Sequence, residues 1–154
     1  MKRYQWITIV VLSLAWTVGC GDSSSPTSSS NPVTTTTTVT STDTRTVKDN
    51  PSFANDIQEI FQRRGCTNAA CHGTAASAGL NLQSGVSYSN LVNVMATSEP
   101  VVRVIAGNAD GSYLVIKLEG RQTAGASMPL GGQPLDQTDI TNIRNWITQG
   151  ANNN

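Results

Sequence analysis

The feature that most constrains this chain is a seven-residue run, Cys66-Thr67-Asn68-Ala69-Ala70-Cys71-His72, which sets two thiols beside the sequence's one histidine. Residues 49–151 read as a single domain with no internal repeat. At about 100 residues it is near the commonest domain size. Its apolar periodicity supplies few elements, so its core is thin, and a covalently held group, a metal or a disulfide usually supplements such a core. The seven-residue run is where that staple belongs.

Three chemistries compete for these groups. Covalent attachment of a haem uses all three: two sulfurs add to the two vinyl groups on one side of a porphyrin, and the imidazole of the next residue reaches the iron. A Cys66 to Cys71 disulfide is the default for a cysteine pair in an oxidising compartment, and it leaves His72 idle. A zinc site lacks a fourth protein ligand. The placement of the lone histidine directly after a cysteine favours haem, although four residues separate the cysteines rather than the usual two.

The compartment is read from the other cysteine. Lys2 and Arg3 precede an apolar stretch over residues 6–18, followed by Gly19-Cys20. A basic start, an apolar segment too short to span a bilayer and small residues at its end make a secretory signal. Thr17-Val18-Gly19-Cys20 resembles a bacterial lipobox, in which cleavage precedes the cysteine and a diacylglycerol is added to its sulfur. Residues 1–19 are thus expected to be a lipoprotein signal peptide and Cys20 the lipidated residue, anchoring the chain to a membrane that faces the periplasm or the cell surface. The alternative is an ordinary signal peptide with an unmodified cysteine.

Loss of residues 1–19 leaves eight basic against ten acidic groups, a net charge of −2. Nucleic acid is excluded as a partner, because nothing resembles the basic stripe that phosphate recognition needs. Over residues 22–46, 17 of 25 side chains are Ser or Thr and only Val33 and Val39 are apolar. Such a segment cannot bury enough surface to offset its ordering entropy, so residues 20–48 read as a disordered tether. Its r.m.s. reach is roughly 30 Å.

Within residues 49–151 the pattern is mostly helical. Asn50 as cap and Pro51 at the first position predict a helix with Phe53, Ile57, Ile60 and Phe61 on one face, ended by Gly65. A short helix is expected over residues 88–95, with Leu91, Val92 and Met95 inward, and another from Asp110 or Ser112 to Glu119, stopped by Gly120. The last has Asp136 as cap, Ile140, Ile143, Trp146 and Ile147 on one face, and Gly150 at its close. Residues 101–105 read as extended.

From Ser52 to Ala151 this order resembles the short monohaem cytochrome c domains of exported bacterial proteins. The resemblance rests on the amphipathic helix before Cys66-x4-Cys71-His72, on Gly107-Asn108-Ala109-Asp110-Gly111-Ser112-Tyr113-Leu114 leading into a helix, on Met128-Pro129-Leu130-Gly131-Gly132, and on a closing helix with Arg144, Trp146, Gly150 and Ala151. It implies a mainly α, small cytochrome c-like fold, with the first and last helices packed together through Phe53 or Phe61 and Trp146. It implies one covalent haem c and redox proteins as partners. Where a proline after the haem motif often supplies the carbonyl that orients the histidine, this chain has Ala78-Gly79-Leu80, so the sequence names no acceptor for the His72 Nδ1 proton.

The second axial ligand is assigned to Met128. His72 is the single histidine, and a thioether suits an electron-transfer iron. Met1 leaves with the signal. Met95, spaced with Leu91 and Val92, reads as core filler. Met128 sits in a glycine-rich loop, 56 residues after His72, with Pro129 restricting its backbone to extended conformations. Its setting matches the distal methionine of the family; the alternative is a surface methionine with an open or water-bound iron. Arg103 and Arg121 are candidates for the haem propionates, whereas Arg63 and Arg64 are read as favouring a helix dipole. The remaining acidic groups read as caps and solvated faces. The expected function is single-electron transfer without bond-making catalysis; the rival is a surface lipoprotein closed by a disulfide, acting as a binding or structural module.

Overall fold

The computed structural model describes residues 45–154; the segment read as a signal peptide, Cys20 and most of the segment read as a tether lie outside the described residues. The domain is mainly helical. Among the described residues there is no strand, only three isolated bridges, and no helix is long and apolar enough to cross a membrane.

The first helix begins as a π-helical turn, Phe53–Ile57, and continues as α1, Gln58–Arg63. Its cap is Ser52 rather than Asn50. The Ser52 hydroxyl accepts from Asn55 N at 3.3 Å, and the Asp56 carboxylate accepts from Ser52 N at 2.8 Å. This reciprocal closure leaves Pro51 buried ahead of the helix, not at its first position. Gly65, at φ +71°, turns the chain out of α1, and Cys66 N donates to Phe61 O at 2.9 Å.

Helix α2 is Ser87–Leu91, shorter than the spacing of Leu91, Val92 and Met95 suggests. Val92 is extended, Asn93 adopts φ +58°, and Val92 and Met95 pair instead with Val104 and Val102 of the extended segment at 101–105. The consequence is a correction: Met95 is 52% exposed and fills no core. Helix α3, Tyr113–Leu118, starts from Ser112 rather than Asp110, and Gly120 at φ +69° ends it.

Helix α4, Gln137–Thr148, is the longest among the described residues. Asp136 caps it by accepting from Asp139 N at 2.9 Å, and Ile143, Trp146 and Ile147 are buried. It packs on the start of the first helix: the rings of Phe53 and Trp146 lie 5.1 Å apart, and Tyr88 meets Phe53 edge-on at 5.2 Å.

The packed unit reaches beyond residues 49–151 at both ends. Thr46 O accepts from Asn142 Nδ2 at 3.0 Å, Lys48 N donates to Asn142 Oδ1 at 2.8 Å, and Lys48 O accepts from Asn145 Nδ2 at 2.7 Å. At the other end, Asn154 O accepts from Ser52 Oγ at 2.7 Å and from Ala54 N at 2.9 Å. Composition assigns residues 45–48 to the tether because their partners lie about a hundred positions away, outside any local pattern.

Candidate functional site

The run from Cys66 to Gly73 folds on itself. Cys71 N donates to Asn68 O at 2.9 Å, His72 N to Cys66 O at 3.0 Å and Gly73 N to Asn68 O at 3.0 Å. Gly73 is buried, and a Cβ on it would lie 2.4 Å from Thr67 O and 2.8 Å from Asn68 O. A glycine is thus what lets the run close and brings Cys66 and His72 together through the main chain.

His72 is half-buried and its ring is held by backbone. Nδ1 lies 3.1 Å from Ser77 O and 3.3 Å from Leu80 O. Both partners are carbonyls, so Nδ1 carries a proton, and in the neutral ring Nε2 is the nitrogen with the lone pair. The acceptors come from an irregular segment in which Ala76 and Ala78 take left-handed φ values of 45° and 54° around a 3₁₀ turn, Ser77–Gly79. That strained conformation is held from outside: Ala78 O accepts from Thr97 Oγ1 at 2.7 Å and from Arg103 Nη2 at 3.1 Å. Leu82 N, donating to His72 O at 2.6 Å, fixes the other side of the histidine backbone.

Cys66, Cys71, His72 and Met128 all line one cavity of about 440 Å³. Such a volume falls within the roughly 300–1,000 Å³ of small-molecule and cofactor sites. Its walls are mostly apolar, with Phe61, Leu80, Leu91 and Leu118 among them. Both thiols are free; Cys66 is half-buried and Cys71 exposed. Burial pushes the Cys66 thiol pKa above its ordinary value. Among the described residues no three His, Cys, Asp or Glu side chains gather into a metal-holding group.

Met128 enters from the loop after α3. Its backbone N donates to Lys117 O at 2.9 Å, and Lys117 Nζ donates to Ala126 O of the same loop, so one residue holds the loop by main chain and side chain. Met128 is half-buried against the core, whereas Met95 does not line the cavity.

Arg103 also borders the cavity, 6% exposed, donating to Asn90 O at 2.8 Å as well as to Ala78 O and Gly79 O. Arg121 does not. It pairs with Glu119 at 2.6 Å and is not among the residues of the cavity wall. Arg63 serves less as a helix-end charge than as an ion-pair partner of Glu59 and the buried Asp139. Arg64, read as a dipole partner, lines the cavity and donates to Gln133 O and Pro134 O. Its position two residues before Cys66 is the one sequence signal for that placement.

No protein-family model, curated protein or solved structure matches this chain.

Proposed function

We propose that this protein is a monohaem c-type cytochrome, lipid-anchored through Cys20 at the cell envelope, that carries single electrons between partner proteins. The observation that carries the reading is the setting of His72. A histidine whose Nδ1 proton is given to carbonyls presents Nε2 as a ligand with fixed ring orientation. It does so in a mostly apolar cavity that Cys66, Cys71 and Met128 also line. On this reading the helical domain is a small cytochrome c-like fold.

The residues fit a haem c. When bound, that group supplies an iron that takes up and gives back one electron without bond-making on a substrate. Cys66 and Cys71 would hold the group covalently through their sulfurs. His72 would hold the iron through Nε2 and Met128 through its thioether. Phe61, Leu80, Leu91 and Leu118 would give the group apolar surroundings.

Intact mass spectrometry of the protein from cells that attach haem is the test. One covalent haem per chain supports the reading; a loss of two hydrogens with no haem sinks it in favour of the disulfide-closed module. Cys66→Ala, Cys71→Ala and His72→Ala should each prevent a stable haem-loaded protein, whereas a disulfide would make the two cysteine changes alike and His72→Ala nearly silent. Cys20→Ser should release the protein from membranes or leave it unprocessed, since stable anchoring takes more than one acyl chain and the diacylglycerol supplies it.

A further inference from the structure

Charge is segregated in this domain. Among the described residues, Arg45, Lys48, Arg63, Arg121 and Arg144 each form an ion pair with a carboxylate. The other three basic side chains, Arg64, Arg103 and Lys117, form none, and all three line the cavity, whose walls contain no Asp or Glu. The eight acidic groups of residues 45–154 all lie elsewhere.

The three cations are not equivalent. Lys117 is occupied by Ala126 O and sits 5.9 Å from the centre of the Tyr113 ring, so its role is to hold the loop. Arg64 has its Nη2 on two carbonyls and its Nε buried without a hydrogen-bond partner. Arg103 is the most deeply placed, and carbonyl dipoles from Asn90, Ala78 and Gly79 are all that face its charge. Burial accordingly holds its pKa below the ordinary value. A buried guanidinium without a counter-ion is unfavourable, and the deficit is removed when an anion arrives. Three of the five guanidinium N–H donors at most are taken by those carbonyls, which leaves at least two for a further acceptor.

We infer that Arg103 is the anion-binding group of the cavity, which is thereby built for a ligand with an apolar body and carboxylates, Arg64 adding to the positive field. The inference rests on the proposed function, in which those carboxylates are the haem propionates. It separates Arg103 from Arg121, which its pairing with Glu119 removes from that role.

The test compares metal-free protoporphyrin IX, a diacid, with its dimethyl ester as ligands for the full chain produced without haem attachment, followed by porphyrin fluorescence. The native chain should bind the diacid at least about tenfold more tightly, the size of a charge-assisted hydrogen bond. Arg103→Gln, whose amide can still donate to the neighbouring carbonyls, should bring that ratio close to one. Arg103→Lys should keep most of it, and Arg121→Gln should leave it unchanged. Equal binding of the two porphyrins by the native chain, or an undiminished ratio in Arg103→Gln, overturns the inference. The haem-loaded protein gives a second readout: the pH at which propionate ionisation bends the reduction potential should rise in Arg103→Gln and stay in place in Arg121→Gln. An identical bend in both also overturns it. Failure of the proposed function shows separately, as native protein without haem mass, and the diacid-to-diester ratio then decides the inference alone.

Discussion

Arg63 and Asp139 are joined by two hydrogen bonds, Nη2 to Oδ1 at 2.7 Å and Nη1 to Oδ2 at 3.2 Å, across the seam between the first and last helices. The Asp139 side chain is 1% exposed and also pairs with Arg45 at 2.9 Å, while its backbone N donates to the Asp136 cap. One carboxylate thus ties the segment before the first helix, α1 and α4 together. The bond to Asp139 raises the pKa of the Arg63 guanidinium, so Arg63 stays charged throughout the accessible pH range. Replacing Asp139 by Ala should cost about 2–3 kcal/mol in urea denaturation. A fully buried pair costs about 3–5 kcal/mol to break, and both guanidiniums here are exposed enough to turn to water. A change below about 0.5 kcal/mol would refute the coupling.

The Asp136 cap gives stability a dependence on pH. The hydrogen bond from Asp139 N, and secondarily Arg45, hold the Asp136 carboxyl below the ordinary carboxylate value in the folded protein. The group therefore contributes stability that is present above the unfolded value of about 3.9 and is lost as pH falls through the lower folded value. Asn at this position caps a helix as well but carries no charge. Thermal midpoints of Asp136→Asn and the native protein should differ at pH 7 and converge toward pH 3. A gap that is constant across that range would show that the charge contributes nothing.

These two residues also show how much the sequence discloses. α4 is legible because its cap, its apolar spacing and Gly150 lie within fifteen residues of one another, and α3 ends at the glycine that punctuates it. The first helix is legible as a helix but not at its start, where Ser52 and Asp56 outcompete Asn50 and Pro51. Met95 is misplaced by its spacing because helical periodicity assumes a helix, and Asn93 at positive φ ends that pattern before Met95. The site follows the same rule. Cys66, Cys71, His72 and Met128 are readable from residue type and order, and the structure brings all four to one cavity. The carbonyls on His72 are not readable, since they depend on the left-handed turn that Thr97 and Arg103 hold from some twenty residues away. Asp139 is hidden for the same reason, as both of its arginine partners are remote in sequence.

Gly73 and Gly85 make a matched pair for testing the closed run. Gly85 has φ +85° and open space around its Cα, so Gly85→Ala should cost only the left-handed penalty of roughly 1–2 kcal/mol. Gly73 has no positive φ, yet an added Cβ would strike two backbone carbonyls that cannot yield without opening the run. Gly73→Ala should therefore be the worse of the two by at least about 1 kcal/mol, and it alone should reduce the yield of haem-loaded protein. Equal stability and equal haem content in both variants would mean that the run does not need its tight closure.

The last expectation separates Met95 from Met128. Met128 is half-buried, lines the cavity with His72, and has its backbone pinned by Lys117 O, so its thioether is delivered to the cavity by a held loop. Met95 is exposed, and its backbone is committed to a bridge with Val102. A thioether on an iron favours the reduced state and gives the oxidised protein a weak long-wavelength sulfur-to-iron band. On the proposed haem ligation, Met128→Ala should abolish that band, lower the reduction potential and open the iron to carbon monoxide. Met95→Ala removes exposed surface alone and should stay within about 0.5 kcal/mol of the native stability, with the band intact. Lys117→Met offers a graded control: it keeps the stem and the backbone bond to Met128 but removes the Nζ contact to Ala126, so the band should persist while carbon monoxide gains access faster than in the native protein. Loss of the band in Met95→Ala with retention in Met128→Ala would reverse the assignment of the axial ligand.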